Sequence, residues 1–236
     1  MNAARAGARR FAVEVITLVP EVWPVILGAG AGLVGRAFSD GLATLRVSSL
    51  RAHGKGTHQQ VDDAPFGGGA GMVLAAPPVC AAIAIATSRT PGPVVLLTPR
   101  GEAFTQRHAR SLAAGPGLTV LCGRYEGIDE RVRARVDMQL CVGDVVLSGG
   151  DPAAWCVIDA VVRLLPGVLG NGESLVEESF AAGLLEYPQY TRPATFEGQT
   201  VPEVLRSGNH AAVEHWRREQ ALLLTRTLRP DLVVDD

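Results

Sequence analysis

Lysine is almost missing from this 236-residue chain: Lys55 stands alone among 22 basic residues, and the other 21 are arginine. A GC-rich genome is the plain explanation, so an arginine is informative here only where its position adds something. Cysteine is scarce as well. Cys80, Cys122, Cys141 and Cys156 sit singly in apolar stretches, with no CxxC pair. That argues against a zinc site or a disulfide framework and for buried free thiols in a reducing compartment. No run reaches the roughly 18 apolar residues of a membrane helix; the nearest, residues 73–86, is broken by Pro77-Pro78. Arg5, Arg9 and Arg10 superficially suggest a signal peptide, but Glu14 interrupts the apolar run behind them and Pro20-Glu21 stands where a cleavage site belongs. The expectation is a cytoplasmic protein with no membrane partner. A formal charge of −2 gives no global bias toward nucleic acid, so such binding would need a local patch. Neither GxxxxGK[ST] nor a strand-linked GxGxxG occurs, which excludes a P-loop and an ordinary dinucleotide fingerprint. The histidines (His53, His58, His108, His210, His215) show no metal-ligand spacing.

What is present is an alternation of short apolar runs and helical patterns. Residues 11–19 read as a nearly continuous apolar strand of the kind covered on both faces. Helical material at 21–38, a strand at 42–47 and a long polar, glycine-rich loop at 51–71 follow. Helices are then expected over 79–87, 104–114, 128–135 and 152–165, alternating with strands over 94–97, 118–122 and 138–142. Trp155, Ile158, Val161, Val162 and Leu165 fall on one face of the last helix. The pattern predicts an α/β domain with a largely parallel sheet over 1–169. A polar linker spans 170–186, and a small all-α unit is expected over 187–236. In that unit Asn209 caps a helix carrying Val213, Trp216, Leu223 and Leu224 on one side. Between Tyr190 and Arg229 there are six arginines against four glutamates, a mildly basic balance.

Three turns share one arrangement. "LLTPRG" (96–101), "LCGRYEG" (121–127) and "VGDVVLSGGD" (142–151) each follow a strand and carry glycine or proline. Strand C-termini of a parallel sheet converge on one edge, where ligands bind. Each turn alone reads equally as an ordinary βα connection. Together, with Arg124, Glu126, Asp144 and Asp151 among the glycines, they point to one ligand pocket. Its carboxylates and carbonyls suit hydroxyls, amines or a cationic group better than a pyrophosphate, and a sulfonium or adenosine-type ligand is compatible. "VDDAPFGGGAGM" (61–72) permits close backbone approach to a ligand or partner, or is a flexible surface loop. Asp159 and Arg163 are an i,i+4 pair, Glu177-Glu178 a solvated acidic pair by default, and Trp216 between His215 and Arg217-Arg218 either an RNA contact or an exposed helix face.

These stretches, with "IDAVVRLLPGVLGN" and "LLEYPQYTRPATFEGQTVPEVLRSGNHAAVEHWRR", occur in order and resemble the bacterial tRNA (guanine-37-N1)-methyltransferases of the SPOUT class over about residues 12–231. The resemblance implies a C-terminal trefoil knot in the first domain that holds S-adenosylmethionine bent in a cleft. It implies a homodimer whose sites are closed by the partner's linker and C-terminal domain, and a helical tRNA-binding domain that grips the anticodon arm with guanine 37, aided by the polar 51–63 stretch. On this likeness the cofactor is lined first by Leu97, Thr98 and Pro99, then by Gly123, Tyr125, Glu126 and Gly127. The third turn would contribute Val142, Gly143, Asp144, Val145, Val146 and Leu147, with Gly149 and Gly150. The resemblance makes Glu178, with Glu177 as rival, the general base that takes the guanine N1 proton. Arg163 would stabilise charge on O6, Glu126 would help hold the base, and Arg192, Arg217 and Arg218 would bind the RNA. It also implies magnesium, although no metal cluster is visible. Three positions depart from the pattern: Glu178 replaces an aspartate, Val145 a frequent aromatic, and Asp151 a glutamate. Two other readings stay open on the residues alone: an RNA-binding protein of this fold without catalysis, or a methyltransferase for another RNA nucleotide.

Overall fold

The computed structural model describes residues 10–28, 30, 32–170, 178–181 and 183–233; Arg5, Arg9 and Glu177 lie outside them. The chain divides into two compact units, Met1–Gly170 and Asn171–Asp236.

The first unit is built on a parallel five-stranded sheet of β1 (Phe11–Thr17), β2 (Ala43–Ser49), β5 (Val94–Ala103), β6 (Gly117–Cys122) and β7 (Met138–Cys141), in the order β2-β1-β6-β5-β7. Every pairing is parallel, with Val15 opposite Val47 on one side and Val120 on the other. All residues of β1 and β6 are buried, because helices cover both faces. The two-residue period of a strand then sorts the side chains. Val13, Val15, Val120, Val95 and Leu97 enter one core, whereas Ile16, Leu121 and Leu96 enter the other. The first core is closed by α1 (Trp23–Leu27), α2 (Gly32–Ser39), α4 (Gln106–Ala113) and α5 (Asp151–Val162); the second by α3 (Ala76–Arg89) and the 3-10 turn Glu130–Arg135. Two-residue strands β3 (Asp62–Asp63) and β4 (Val73–Leu74) pair antiparallel within the long loop.

Glu14 is the exception inside the second face. Its carboxylate is fully buried and accepts from Ser48 Oγ (2.7 Å), Thr90 Oγ1 (3.0 Å) and the Arg89 guanidinium. Burial by itself would raise its pKa. The bonds from Arg89, Ser48 and Thr90 outweigh that and hold it below the ordinary carboxylate value.

Several expectations are corrected. Residues 130–135 form a 3-10 turn rather than an α-helix, capped by Asp129, whose Oδ1 accepts from Arg131 N–H (3.0 Å). Trp155 faces out at 45% exposure, and Ala154, Val157 and Ile158 take the inward positions of α5. Of the cysteines only Cys122 is buried; Cys156 is exposed. No single helix among the described residues is long and apolar enough to cross a membrane.

The second unit holds the helix His210–Leu228, capped as expected by Asn209, whose Oδ1 accepts from Ala212 N–H (3.2 Å). Its buried positions are Ala221 and Thr225, while Leu223 is exposed. The expected all-α character is amended by a small antiparallel hairpin, β8 (Thr195–Phe196) with β9 (Gln199–Thr200).

Candidate functional site

The three strand-end turns meet at the C-terminal edge of β5, β6 and β7. The first is a bulge rather than a strand end: Leu97 and Glu102 both pair with Leu140, so residues 98–101 loop out and β5 resumes beyond them. Pro99 has no N–H to give a ladder. Gly101 passes so close to β7 that a Cβ there would lie 2.5 Å from Leu140 N.

The second turn leaves β6 at Gly123. Tyr125 adopts φ +59, a region that favours glycine, and the residue is 48% exposed. The turn is fastened from outside by the end of the glycine-rich loop: Glu126 N–H donates to Met72 C=O (3.0 Å), Leu74 N–H to Gly127 C=O (3.0 Å) and Asp129 N–H to Leu74 C=O (2.9 Å).

The third turn, residues 142–150, returns against the second. Gly150 N–H donates to Gly123 C=O (2.7 Å), and a Cβ on Gly150 would lie 2.8 Å from Gly123 N. Two backbones in contact leave no room for a side chain. α5 begins there, and its first residue, Asp151, is buried. Asp151 Oδ1 accepts from Thr17 Oγ1 (2.5 Å) and Trp23 Nε1 (3.1 Å), and Oδ2 from Arg124 Nη2 (3.1 Å). Burial, and next the Asp151 carboxylate, push the Cys122 thiol well above its ordinary range, so it is a neutral packing group.

Together the turns enclose a cleft of about 310 Å³, at the lower end of ligand-site sizes. Leu97, Thr98, Pro99, Gly123, Tyr125, Glu126 and Gly127 line it, as do Val142, Gly143, Val145, Val146, Leu147, Gly149 and Gly150. Asp144, expected among them, does not. Sequence reasoning missed Ile128, Leu140 and Cys141, which also line it, as do Arg100, Arg124 and Ser148 from within the three turns. The paired end of β7 brings in Leu140 and Cys141, and no local pattern announces it. Apolar walls, many backbone polar groups and one carboxylate, Glu126, suit a ligand of mixed polarity.

The other candidates are not among the residues that line the cleft. Arg163 caps the C-terminal end of α5, a helix length of roughly 18 Å from the Asp151 end. Glu178, half-buried, opens a turn in the second unit, its carbonyl accepting from Ala181 N–H (3.0 Å). Arg217 lies 4.7 Å over the Tyr187 ring, while Arg192 and Arg218 are exposed; Trp216 contacts Tyr190 with ring centroids 6.3 Å apart.

The family model described as tRNA (Guanine-1)-methyltransferase TrmD matches residues 11–235. A tRNA (guanine-N(1)-)-methyltransferase of Jannaschia sp. (strain CCS1) is 50% identical over 96% of this chain and 94% of its own length. One of the same name from Anaeromyxobacter sp. (strain Fw109-5) is 52% identical over 95% and 91%. Another, from Myxococcus xanthus (strain DK1622), is 51% identical over 94% and 90%.

Proposed function

Since the chain belongs to the tRNA (guanine-1)-methyltransferase family and is an enzyme that methylates guanine N1 in tRNA, we propose that its methyl donor is S-adenosylmethionine and its target guanine 37, 3′ of the anticodon. The observation that carries this reading is the convergence of three strand-end turns on one cleft, in a chain that matches the family from residue 11 to residue 235.

The cleft fits the donor by its chemistry. Gly123, Gly127, Gly143 and Gly149 leave backbone groups open to the nucleoside, Leu97, Pro99 and Val142 offer apolar walls, and Glu126 offers the one negative charge in the lining for a cationic sulfonium. When bound, the donor supplies an electrophilic methyl group. The protein's part is to orient the base and remove its proton. Glu126 holds the guanine, Arg163 stabilises negative charge on O6, and Glu178 accepts the proton from N1, an assistance worth about 10²–10⁴ in rate. Arg192, Arg217 and Arg218 neutralise phosphates of the anticodon arm. Magnesium is assigned no step, because no group of three or more His, Cys, Asp or Glu among the described residues is placed to hold an ion.

The close passage of Gly150 along the Cys122–Gly123 backbone supports reading residues 142–150 as part of the knot that the family resemblance implies. The same resemblance supports a homodimer and a cytoplasmic site of action, where its tRNA substrate is found.

The test is transfer of labelled methyl from S-adenosylmethionine to tRNA transcripts carrying guanine or adenine at position 37, with wild-type and Glu178→Gln protein. Transfer that requires guanine 37 and falls about a hundredfold or more in the variant is expected. Transfer that survives the substitution would move the proton acceptor to another group, Glu177 first. Transfer to tRNA indifferent to position 37 would overturn the choice of nucleotide.

A further inference from the structure

The glycine-rich motif "VDDAPFGGGAGM" has no part in the chemistry above, yet its last turn is seated on a residue that does. Gly71 has φ +81, and a Cβ there would lie 2.5 Å from both Cγ and Oε1 of Glu126 and 2.9 Å from its Cδ. The backbone just beyond is paired with the Glu126 turn through Met72 C=O and Leu74, so the two backbones cannot separate without breaking that ladder and the side chain alone must give way. We propose that Gly71 is a positioning residue for the Glu126 carboxylate: the absent side chain is the slot in which the acid lies. The triple glycine ahead of it serves a different need. Gly67, Gly68 and Gly69 also have positive φ, but a Cβ on any of them would meet nothing within 4 Å. The motif thus contains turn-forming glycines and one glycine that shapes the cleft.

The physical basis is steric. Glu126 is exposed, and an exposed acid on a turn has several staggered rotamers open to it. Gly71 admits the one that lies against the loop. A methyl group at residue 71 displaces the side chain from Cγ outward, where rotation about the terminal bonds cannot relieve the contact. A reacting group misplaced by about 1 Å loses on the order of a hundredfold in rate.

Two experiments test this, and only the first rests on the methyl-transfer reading. Gly71→Ala is compared with Gly69→Ala, which places an alanine at φ +123 and so carries backbone strain without the contact. Gly71→Ala is expected to lower kcat about tenfold or more while Gly69→Ala stays within about twofold, and the further loss from Gly71→Ala should vanish in a Glu126→Ala background, where no Cγ remains to be displaced. Equal losses in the two glycine variants would overturn the proposal, since strain alone would then explain them. The second experiment needs no activity and no substituted glycine. Hydrogen exchange at the amides of residues 67–72 is followed in Glu126→Ala and Glu126→Gln proteins. Removing the side chain is expected to speed exchange about tenfold, whereas the isosteric amide leaves it unchanged. Unaltered exchange in Glu126→Ala would sink the idea even if methyl transfer proceeds as described. Absence of methyl transfer in the wild-type protein, with the exchange effect present, would instead fault the functional reading.

Discussion

Arg124 and Asp151 form an ion pair at the wall of the cleft, Nη2 to Oδ2 at 3.1 Å, which ties the turn after β6 to the first residue of α5. Asp151 has two more donors, Thr17 from the end of β1 and Trp23 from α1, so one carboxylate gathers four elements of the fold. Asp151→Ala strips three donors at once and leaves a cation without its partner. Asp151 is buried and Arg124 only partly so, and losing three hydrogen bonds to a charged group costs about 3 kcal/mol or more. Urea denaturation of the variant should show that loss, and an unchanged midpoint would mean the carboxylate is not a structural hub.

Glu14 makes stability depend on acid. Its folded pKa is depressed, so on acidification the unfolded chain takes up the proton first. The contribution is complete above the ordinary carboxylate value, about 4.3, and is lost as pH falls through the lower folded value. Unfolding free energy measured from pH 6 to pH 3 should therefore decline in the wild-type protein. Glu14→Gln should be less stable at neutral pH and show a flatter profile; parallel curves would refute this.

Gly150 tolerates no side chain. The atoms a Cβ would meet, Gly123 N at 2.8 Å and Cys122 Cα at 2.9 Å, belong to the backbone of a central strand and its exit. Gly150→Ala is expected to weaken binding of S-adenosylmethionine or its demethylated product about tenfold or more by pushing residues 142–150 off the second turn. Calorimetric titration checks it, with unaltered affinity as the contrary result.

Tyr125 carries backbone strain in the wall of the cleft. Left-handed backbone costs a non-glycine residue roughly 1–3 kcal/mol, and the ring recovers little of that, the residue being nearly half exposed. Tyr125→Gly should leave the melting temperature equal or higher while weakening cofactor binding. A variant that melts lower would show that the ring supports the fold rather than the cleft.

Much of this was readable from local pattern. The nearly continuous apolar runs at 11–17 and 117–122 announced strands covered on both faces, and Asn209 announced its helix. Other features misled for a local reason. Trp155 shares the helical period of Ile158 and Val162, but period alone does not say which side of an apolar helix meets the sheet. The small Ala153 and Ala154 permit close packing there, and the tryptophan is turned outward. Residues 130–135 have a helical look, yet Asp129 caps a tight turn that buries only Val132.

The five strands of the sheet, the three glycine-bearing turns and the family were settled by the sequence, because each depends on residues close together in the chain. That Thr17, Trp23 and Arg124 would share one carboxylate was not, since they lie 134, 128 and 27 residues from it. The same is true of the slot that Gly71 makes for Glu126. Such contacts depend on which strand lies beside which, and β6 takes its place between β1 and β5 by burial on both faces, a property of the assembled sheet and of no single segment.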